Sequence, residues 1–203
     1  MRKLVYFVAA SLDGYLARPD GSIDWLPRPT PRQDYGCGSF FARIDEIIIG
    51  RKTYEQALEL GGWPYGDRRC HVLSRRWAGH RDVHARFTDA GAATLLRRLR
   101  KQPGRDIWLV GGGESAQAFF AAGLVNEIIV TVVPRLLGEG RPLFLPHAGD
   151  TALRLRGSRV FPDGLVQLRY AVNPRRPGLG RASSASSGSH QDQIAAPSAS
   201  RLE

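Results

Sequence analysis

Along residues 2–173 the apolar positions fall into two patterns that take turns. Short runs rich in Val, Ile and Leu read as strands: "KLVYFVAA" (3–10), "DEIIIG" (45–50), "RRCHVLS" (68–74), "DVHARF" (82–87), "RDIWLV" (105–110), "NEIIVTVV" (126–133), "LRLRGSRVFP" (153–162) and "LVQLRYAVN" (165–173). Between them lie stretches at helical spacing. "DYGCGSFFARI" (34–44) turns Phe40, Phe41 and Ile44 inward, and "RKTYEQALEL" (51–60) follows the second strand directly. "AGAATLLRRLRKQ" (90–102) sets Leu95, Leu96 and Leu99 on one face and arginines on the other; "ESAQAFFAAGL" (114–124) carries Gly123 as its stop signal.

Strands separated by helices imply right-handed crossovers, hence an α/β fold: a mostly parallel sheet with helices on both faces. The last two runs meet at "PDG" and read as an antiparallel C-terminal hairpin. One domain is expected over 1–173. Residues 174–203 contain no Phe, Trp or Tyr and are mostly Ser, Ala, Gly, Pro and Arg. Such a segment buries too little apolar surface to offset chain entropy, so a disordered tail is expected there.

Composition narrows the function. No apolar run approaches the ~20 residues of a membrane-spanning helix. "MRKLVYFVAASLDG" begins like a secretory signal, but its run reads better as a first core strand. Cys37 and Cys70 make neither a disulfide framework nor a zinc spacing, which fits a reducing cytoplasm. The formal net charge of +10 suggests nucleic acid at first sight. The basic residues, however, are 26 Arg and 3 Lys scattered along the whole chain, with no block longer than two, which reads as compositional bias. Neither nucleic acid nor membrane is expected as a partner.

The candidate chemistry sits where strands hand over to helices. Gly111, Gly112 and Gly113 follow the strand 105–110 and open a helix at Glu114. Glycine lets a phosphate approach the backbone, and the free amides and dipole of the helix N-terminus favour an anion. A tight turn at positive φ would need one glycine; three favour a diphosphate cradle. "GGGESA" also matches G-x-G-x-x-A, but it follows several strands rather than the first, and no acid stands at the end of the next strand. Two further junctions add to it: Gly50, Arg51 and Thr53 in "IIIGRKTYE", and Ser74, Arg75 and Arg76 in "HVLSRR". Guanidinium groups bind phosphate bidentately, although Arg75 and Arg76 read equally well as solvated loop charge. A ligand with a diphosphate and a separate monophosphate uses all three junctions, and NADPH is such a ligand.

In this order, "VAASLDGYLA", "IIIGRKTYE", "HVLSRR", "IWLVGGGES" and "LLGEGRPLF" resemble the dihydrofolate reductase-like superfamily. Within it the likeness is to the reductase domain family of the bifunctional riboflavin-biosynthesis deaminase/reductase, over residues 2 to about 172. The resemblance implies the three-layer dihydrofolate reductase-like fold and hydride transfer from NADPH to a small heterocyclic or ribosylaminopyrimidine substrate. It implies that Gly50, Arg51 and Thr53 contact the cofactor phosphates, that Ser74 and Arg75 hold the 2′-phosphate, and that the Gly111–Glu114 turn holds the diphosphate through a cis Gly–Gly bond. It also implies that "SLDGYLA" and "DGSIDWL" close over the nicotinamide, with Leu16 and Trp25 near the ring, and that a homodimer through "NEIIVTVVPRLL" is plausible.

For the proton, the likeness to the folate enzymes points to Asp34, sixteen residues before Gly50, as a buried carboxylate of raised pKa, with Thr131 as its supporting hydroxyl. Asp34 reads equally as a helix cap. Asp13 is a second acid near the pocket, or a turn residue before Gly14. Two departures are visible. The acidic pair and Pro-x-Leu of the riboflavin enzymes are missing from "YEQALELGGWPYGDRR", and Gly36 and Gly38 stand where folate enzymes place bulky apolar residues. The zinc-deaminase signature is absent as well.

Overall fold

Residue parity in each strand decides how the layers assemble. A strand buried on both faces needs apolar residues at odd and even positions alike. In the computed structural model, which describes residues 1–59, 62–146 and 150–173, β1 (Leu4–Ser11) turns Leu4 and Tyr6 to one face and Val5 to the other. The short strand β2 (Tyr15–Ala17) is followed by a long loop and α1 (Cys37–Ala42). Then come β3 (Ile44–Gly50), α2 (Arg51–Glu59), β4 (Arg69–Leu73), β5 (Ala85–Thr88), α3 (Ala92–Arg100), β6 (Asp106–Val110) and α4 (Gly113–Ala121). The chain ends with β7 (Glu127–Val133), β8 (Arg141–Pro142), β9 (Leu153–Val160) and β10 (Val166–Val172).

Eight strands form one sheet in the order β5-β4-β3-β6-β1-β7-β10-β9. All pairs are parallel except β7–β10 and β10–β9, so the C-terminal hairpin supplies the antiparallel edge that the sequence predicts. On one face Ile47, Ile49, Trp108 and Val110 pack with Phe40 of α1 and with Tyr54 and Ala57 of α2. On the other, Ile48, Ile107 and Leu109 pack with Leu95, Leu96 and Leu99 of α3 and with Ala116 and Phe119 of α4. Each such Ile or Leu, fully buried, stabilises the fold by ~1.5–3 kcal/mol relative to exposure.

Helix ends follow their sequence signals. α4 closes in a Schellman motif: Gly123 adopts φ 64°, its N–H donates to the Phe120 carbonyl, and the Leu124 N–H donates to the Phe119 carbonyl. Three elements differ from expectation. Ile44 does not extend α1; the helix caps at Arg43, and Ile44 opens β3 fully buried. β5 begins at Ala85 because the Asp82 carboxylate accepts the N–H groups of His84 and Ala85, which makes residues 82–85 a turn. The two-stranded sheet β2–β8 has no apolar run to announce it. The tail expected over 174–203 lies outside the described residues.

The two edges of the parallel sheet are used differently. At the strand starts, Glu46 is buried among Arg2, Arg69 and His71, and Glu127 is held by Arg43 and Arg169. At the strand ends the chain opens into a cleft.

Candidate functional site

The carboxyl ends of β1, β3, β4, β6 and β7 border a cleft of about 1350 Å³. Open α/β sheets bind ligands on this side, because crossover loops part there and helix N-termini face the gap. Gly50, Arg51 and Thr53 line it from the β3–α2 junction, Ser74 and Arg75 from the end of β4, and Gly111, Gly112, Gly113 and Glu114 from the β6–α4 junction. The three junctions picked out in the sequence therefore share one cavity. Leu16 and Thr131 line it too.

The two glycine junctions lock into each other. A β-carbon on Gly111 would sit 2.7 Å from Thr53 Oγ1, and one on Gly50 would sit 2.5 Å from Ser115 Oγ. One on Gly112 would run into the Leu16 side chain, whereas Gly113 faces open space. Gly111 at φ 79° and Gly113 at φ 62° reverse the chain with trans bonds throughout, since the described residues contain no cis peptide. The expected cis Gly–Gly bond is thus not found; two left-handed glycines perform the turn. Gly113, which faces open space, and the first-turn amides of α4 leave a polar cradle that fits a phosphate group. Two hydroxyls, on Thr53 and Ser115, stand beside it.

The charges around the cradle are mixed. Arg51, Lys52, Arg75, Arg76 and Arg141 line the cleft together with Asp89 and Glu114. Arg51 is less available than its position suggests: Nη1 donates to both Glu55 oxygens, at 2.6 and 2.7 Å, along α2. Arg75 and Arg76 are exposed, and among the described residues neither makes an ion pair. Ser74 is buried, and its hydroxyl accepts the Trp77 N–H, so it shapes the turn that carries both arginines. The donor set at this end fits a nucleotide with a diphosphate and a further phosphate.

The other end of the cleft is apolar, with Ile23, Leu26, Phe41, Trp108 and Leu165 around Tyr35, Cys37 and Thr131. Burial holds the Cys37 thiol above its usual pKa, with the Asp34 charge adding to the effect. Three predicted residues are placed otherwise than expected. Asp34 is exposed, does not line the cleft, and accepts the N–H groups of Gly36 and Gly38 at 2.9 and 3.0 Å. Those two bonds hold its carboxyl below the ordinary range rather than above it. Asp13 is exposed as well. It accepts bonds from the Ser11 hydroxyl and from the Leu137 and Gly138 N–H groups, which tie the 11–14 turn to the segment before β8 and lower its pKa. Trp25 is buried under the cleft floor with Val133, Phe161 and Leu165, and contributes packing there.

Gln167 is a residue the sequence reading missed. It sits directly across from Thr131 on β10, and Nε2 donates at 3.0 Å both to Thr131 Oγ1 and to the Tyr35 carbonyl. A polar residue in a strand that otherwise alternates weakly was its only signal.

The comparisons with known proteins agree with this architecture. Residues 72–167 match the RibD C-terminal domain family. The uncharacterized protein YwjB of Bacillus subtilis (strain 168) is 39% identical over 170 residues, 83% of this chain and 97% of that protein. The riboflavin biosynthesis protein RibD of Corynebacterium ammoniagenes is 32% identical over 150 residues, which are 65% of this chain but 43% of that longer protein. Among solved structures, a protein of Shewanella sp. PV-4 assigned to riboflavin biosynthesis superposes with a TM-score of 0.77 at 28% identity, covering 84% of this chain and 99% of its own. Likeness over nearly the whole length of the Bacillus and Shewanella proteins, together with the family match and the shared fold, places this chain in the riboflavin-biosynthesis reductase domain family, the RibD C-terminal domain family.

Proposed function

We propose that this protein is an NADPH-dependent reductase acting on a small nitrogen heterocycle of the kind found in riboflavin biosynthesis, such as 5-amino-6-(5-phosphoribosylamino)uracil. The observation that carries the reading is the convergence of three separate strand ends on one cleft. The Gly111–Glu114 turn and Thr53 take the diphosphate, Ser74 and Arg75 take the 2′-phosphate, and Leu16 lies over the turn toward the nicotinamide. Bound NADPH supplies a hydride. The chain's own part is to hold the two rings face to face, to exclude water with Leu26, Phe41, Trp108 and Leu165, and to fix the substrate at Thr131.

Dihydrofolate is the second reading. It is weakened because the described residues place no carboxylate at the apolar end of the cleft, with Asp34 and Asp13 both turned away. The protein works in the cytoplasm in this reading, where Cys37 and Cys70 stay thiols. No helix among the described residues is long and apolar enough to cross a membrane.

The test is a titration with NADPH and NADH. NADPH at a hundred times its Kd raises the unfolding free energy by ~2.7 kcal/mol. Arg75→Ala lowers the preference for NADPH over NADH about tenfold while NADH affinity stays put, since one charge-assisted phosphate contact is worth roughly 1.5 kcal/mol or more. Equal stabilisation by both nucleotides in the unaltered protein refutes the 2′-phosphate assignment, and stabilisation by neither refutes the reading.

A further inference from the structure

Five cationic side chains line the cleft: Arg51, Lys52, Arg75, Arg76 and Arg141. Four of them stand on the β3–α2 junction and at the end of β4. Arg141 comes from elsewhere, from β8, where it pairs with Ala17 of β2. Its guanidinium is held by the loop that follows β2. Nη2 donates to the Asp20 carbonyl at 3.2 Å. The group lies so close over Gly21 that a β-carbon there would stand 2.5 Å from Nη2 and 2.7 Å from Cζ, so this seat needs a glycine. The seat is fixed from α2 as well, because the Gly21 carbonyl accepts from Gln56 Nε2 at 2.7 Å. Within the loop Arg18 pairs with Asp24, and the Asp20 carboxylate is turned to the Ser22 N–H. Arg141 makes no ion pair among the described residues, and its remaining N–H groups have no partner there.

A cation held by a carbonyl and a glycine, lining a cavity without a counter-charge, suits an anion that arrives from outside. The charge balance of the cleft points the same way. The Gly111–Glu114 turn offers a diphosphate the N-terminus of α4, equivalent to about half a positive charge, and Glu114 stands beside it as a like charge. Arg51 spends two short bonds on Glu55. Lys52 is unpaired too, but it is exposed, and nothing among the described residues holds its ammonium. We propose that Arg141 binds a phosphate group of the ligand that occupies this cleft, through the guanidinium N–H groups that Asp20 leaves free. The inference rests on the reading of the cleft as a reductase site and adds a phosphate contact from the β2–β8 wall. Two sources share this chemistry, the diphosphate of the cofactor and the 5′-phosphate of a ribosylaminopyrimidine, and a guanidinium fork matches both.

The experiment has two arms and uses Arg141→Leu. In the first, NADPH and NADH are titrated by nicotinamide fluorescence at low and at high salt. If Arg141 holds the cofactor diphosphate, Arg141→Leu weakens NADPH and NADH alike, by about tenfold or more. The Kd also becomes less sensitive to salt, because one screened charge contact is gone. In the second arm, calorimetry measures binding of 5-amino-6-(ribosylamino)uracil and of its 5′-phosphate to protein saturated with NADP⁺, which cannot reduce them. If Arg141 holds the substrate phosphate, nucleotide affinity stays put and the preference for the phosphate ester over the phosphate-free compound falls about tenfold. Either result supports the proposal. Gln56→Leu loosens the same loop from α2 and keeps the charge, so it is expected to change neither the salt dependence nor the phosphate preference. A merely structural role for Arg141 makes both variants weaken binding together, with salt dependence and phosphate preference as in the unaltered protein. That pattern overturns the proposal, and so do affinities within about twofold of the unaltered protein in both arms. If the unaltered protein binds neither nucleotide, the reading of the cleft itself falls, and the proposal with it.

Discussion

Thr53 Oγ1 occupies the space that a β-carbon on Gly111 would need, 2.7 Å from it. The contact joins the first turn of α2 to the turn before α4, so the two helix N-termini are held at a fixed spacing. Gly111→Ala meets two separate costs. An alanine at φ 79° is strained by about 1–2 kcal/mol, and the contact with Thr53 forces a shift besides. Urea unfolding is expected to show a loss of roughly 2–4 kcal/mol in total, within the range of backbone and overpacking substitutions. Adding Thr53→Ala removes the crowding atoms and recovers the second part only. Full additivity of the two substitutions would show that the contact carries no strain.

Asp34 reads in the sequence equally as a proton relay and as a helix cap; in the structure it accepts the Gly36 and Gly38 N–H groups with its two oxygens, while the N-cap of α1 is Gly36. Asparagine has one acceptor oxygen, so Asp34→Asn gives up one of these exposed bonds and the carboxylate proton together. Stability is expected to fall by roughly 0.5–1.5 kcal/mol, and the rate of NADPH oxidation on the turned-over heterocycle to change by less than about threefold across pH 6–8. Proton relay through a neighbouring carboxylate typically contributes ~10²-fold or more. A fall of that size in folded D34N returns Asp34 to the reaction.

How much was legible beforehand follows from what each signal depends on. The strands β1, β3, β6 and β7 were plain because a strand buried on both faces must be apolar throughout, and these β-branched runs are too short for a buried helix. The three junctions that line the cleft were legible because glycine and hydroxyl residues at strand ends are local features. Asp34 and Asp13 each kept two readings in the sequence, and Trp25 was expected at the ring, because each role depends on which way a loop turns. Two glycine amides claimed the Asp34 carboxylate, and the backbone near Leu137 and Gly138 claimed Asp13. Gln167 left only the weak signal of one polar residue in a strand. Its meaning lies in the register that sets it opposite Thr131, and in Tyr35, left-handed at φ 51° and 132 positions earlier in the chain.

The edge of the sheet gives a third expectation. Every residue of β9 is exposed, including Leu155 at 54% and Val160 at 72%, and Arg154, Arg156 and Arg159 are interspersed along it. Long exposed edges with apolar side chains pair readily with another strand. A homodimer in solution is expected through this C-terminal hairpin rather than through β7 itself, because β7 is already paired on both sides, by β1 and β10. Sedimentation at micromolar concentration is expected to give a dimer, and Leu155→Glu a folded monomer that still binds NADPH. A monomer in the unaltered protein ends this expectation.

The strand starts, at the end of the sheet away from the cleft, govern acid stability. Glu46 is 1% exposed, accepts from Arg2 Nη1 at 3.1 Å, and lies 2.9 Å from His71 Nε2 and 2.6 Å from Arg69 Nη2. Burial alone would raise its carboxyl pKa, but the hydrogen bonds from His71 and Arg2 outweigh it and hold the group below its ordinary value. Glu127 is governed in the same way, burial being opposed and overcome by Arg43 and Arg169. A carboxyl lowered in the folded state binds its proton more readily once unfolded. Its stabilisation is therefore complete above the unfolded value of ~4.3 and is lost as pH falls through the folded value. Urea midpoints are expected to change little on these groups' account between pH 7 and 5, then to drop steadily below about pH 4.3. Glu46→Gln leaves buried Arg2 with Asp45 alone, while half-exposed Arg69 turns to water, so it costs about 1–3 kcal/mol at pH 7. It also removes one titrating group from the acid limb, so the variant and the unaltered protein converge in stability as the pH falls toward 2. Curves that stay parallel down to that pH would mean that the Glu46 carboxylate contributes packing and no linked charge.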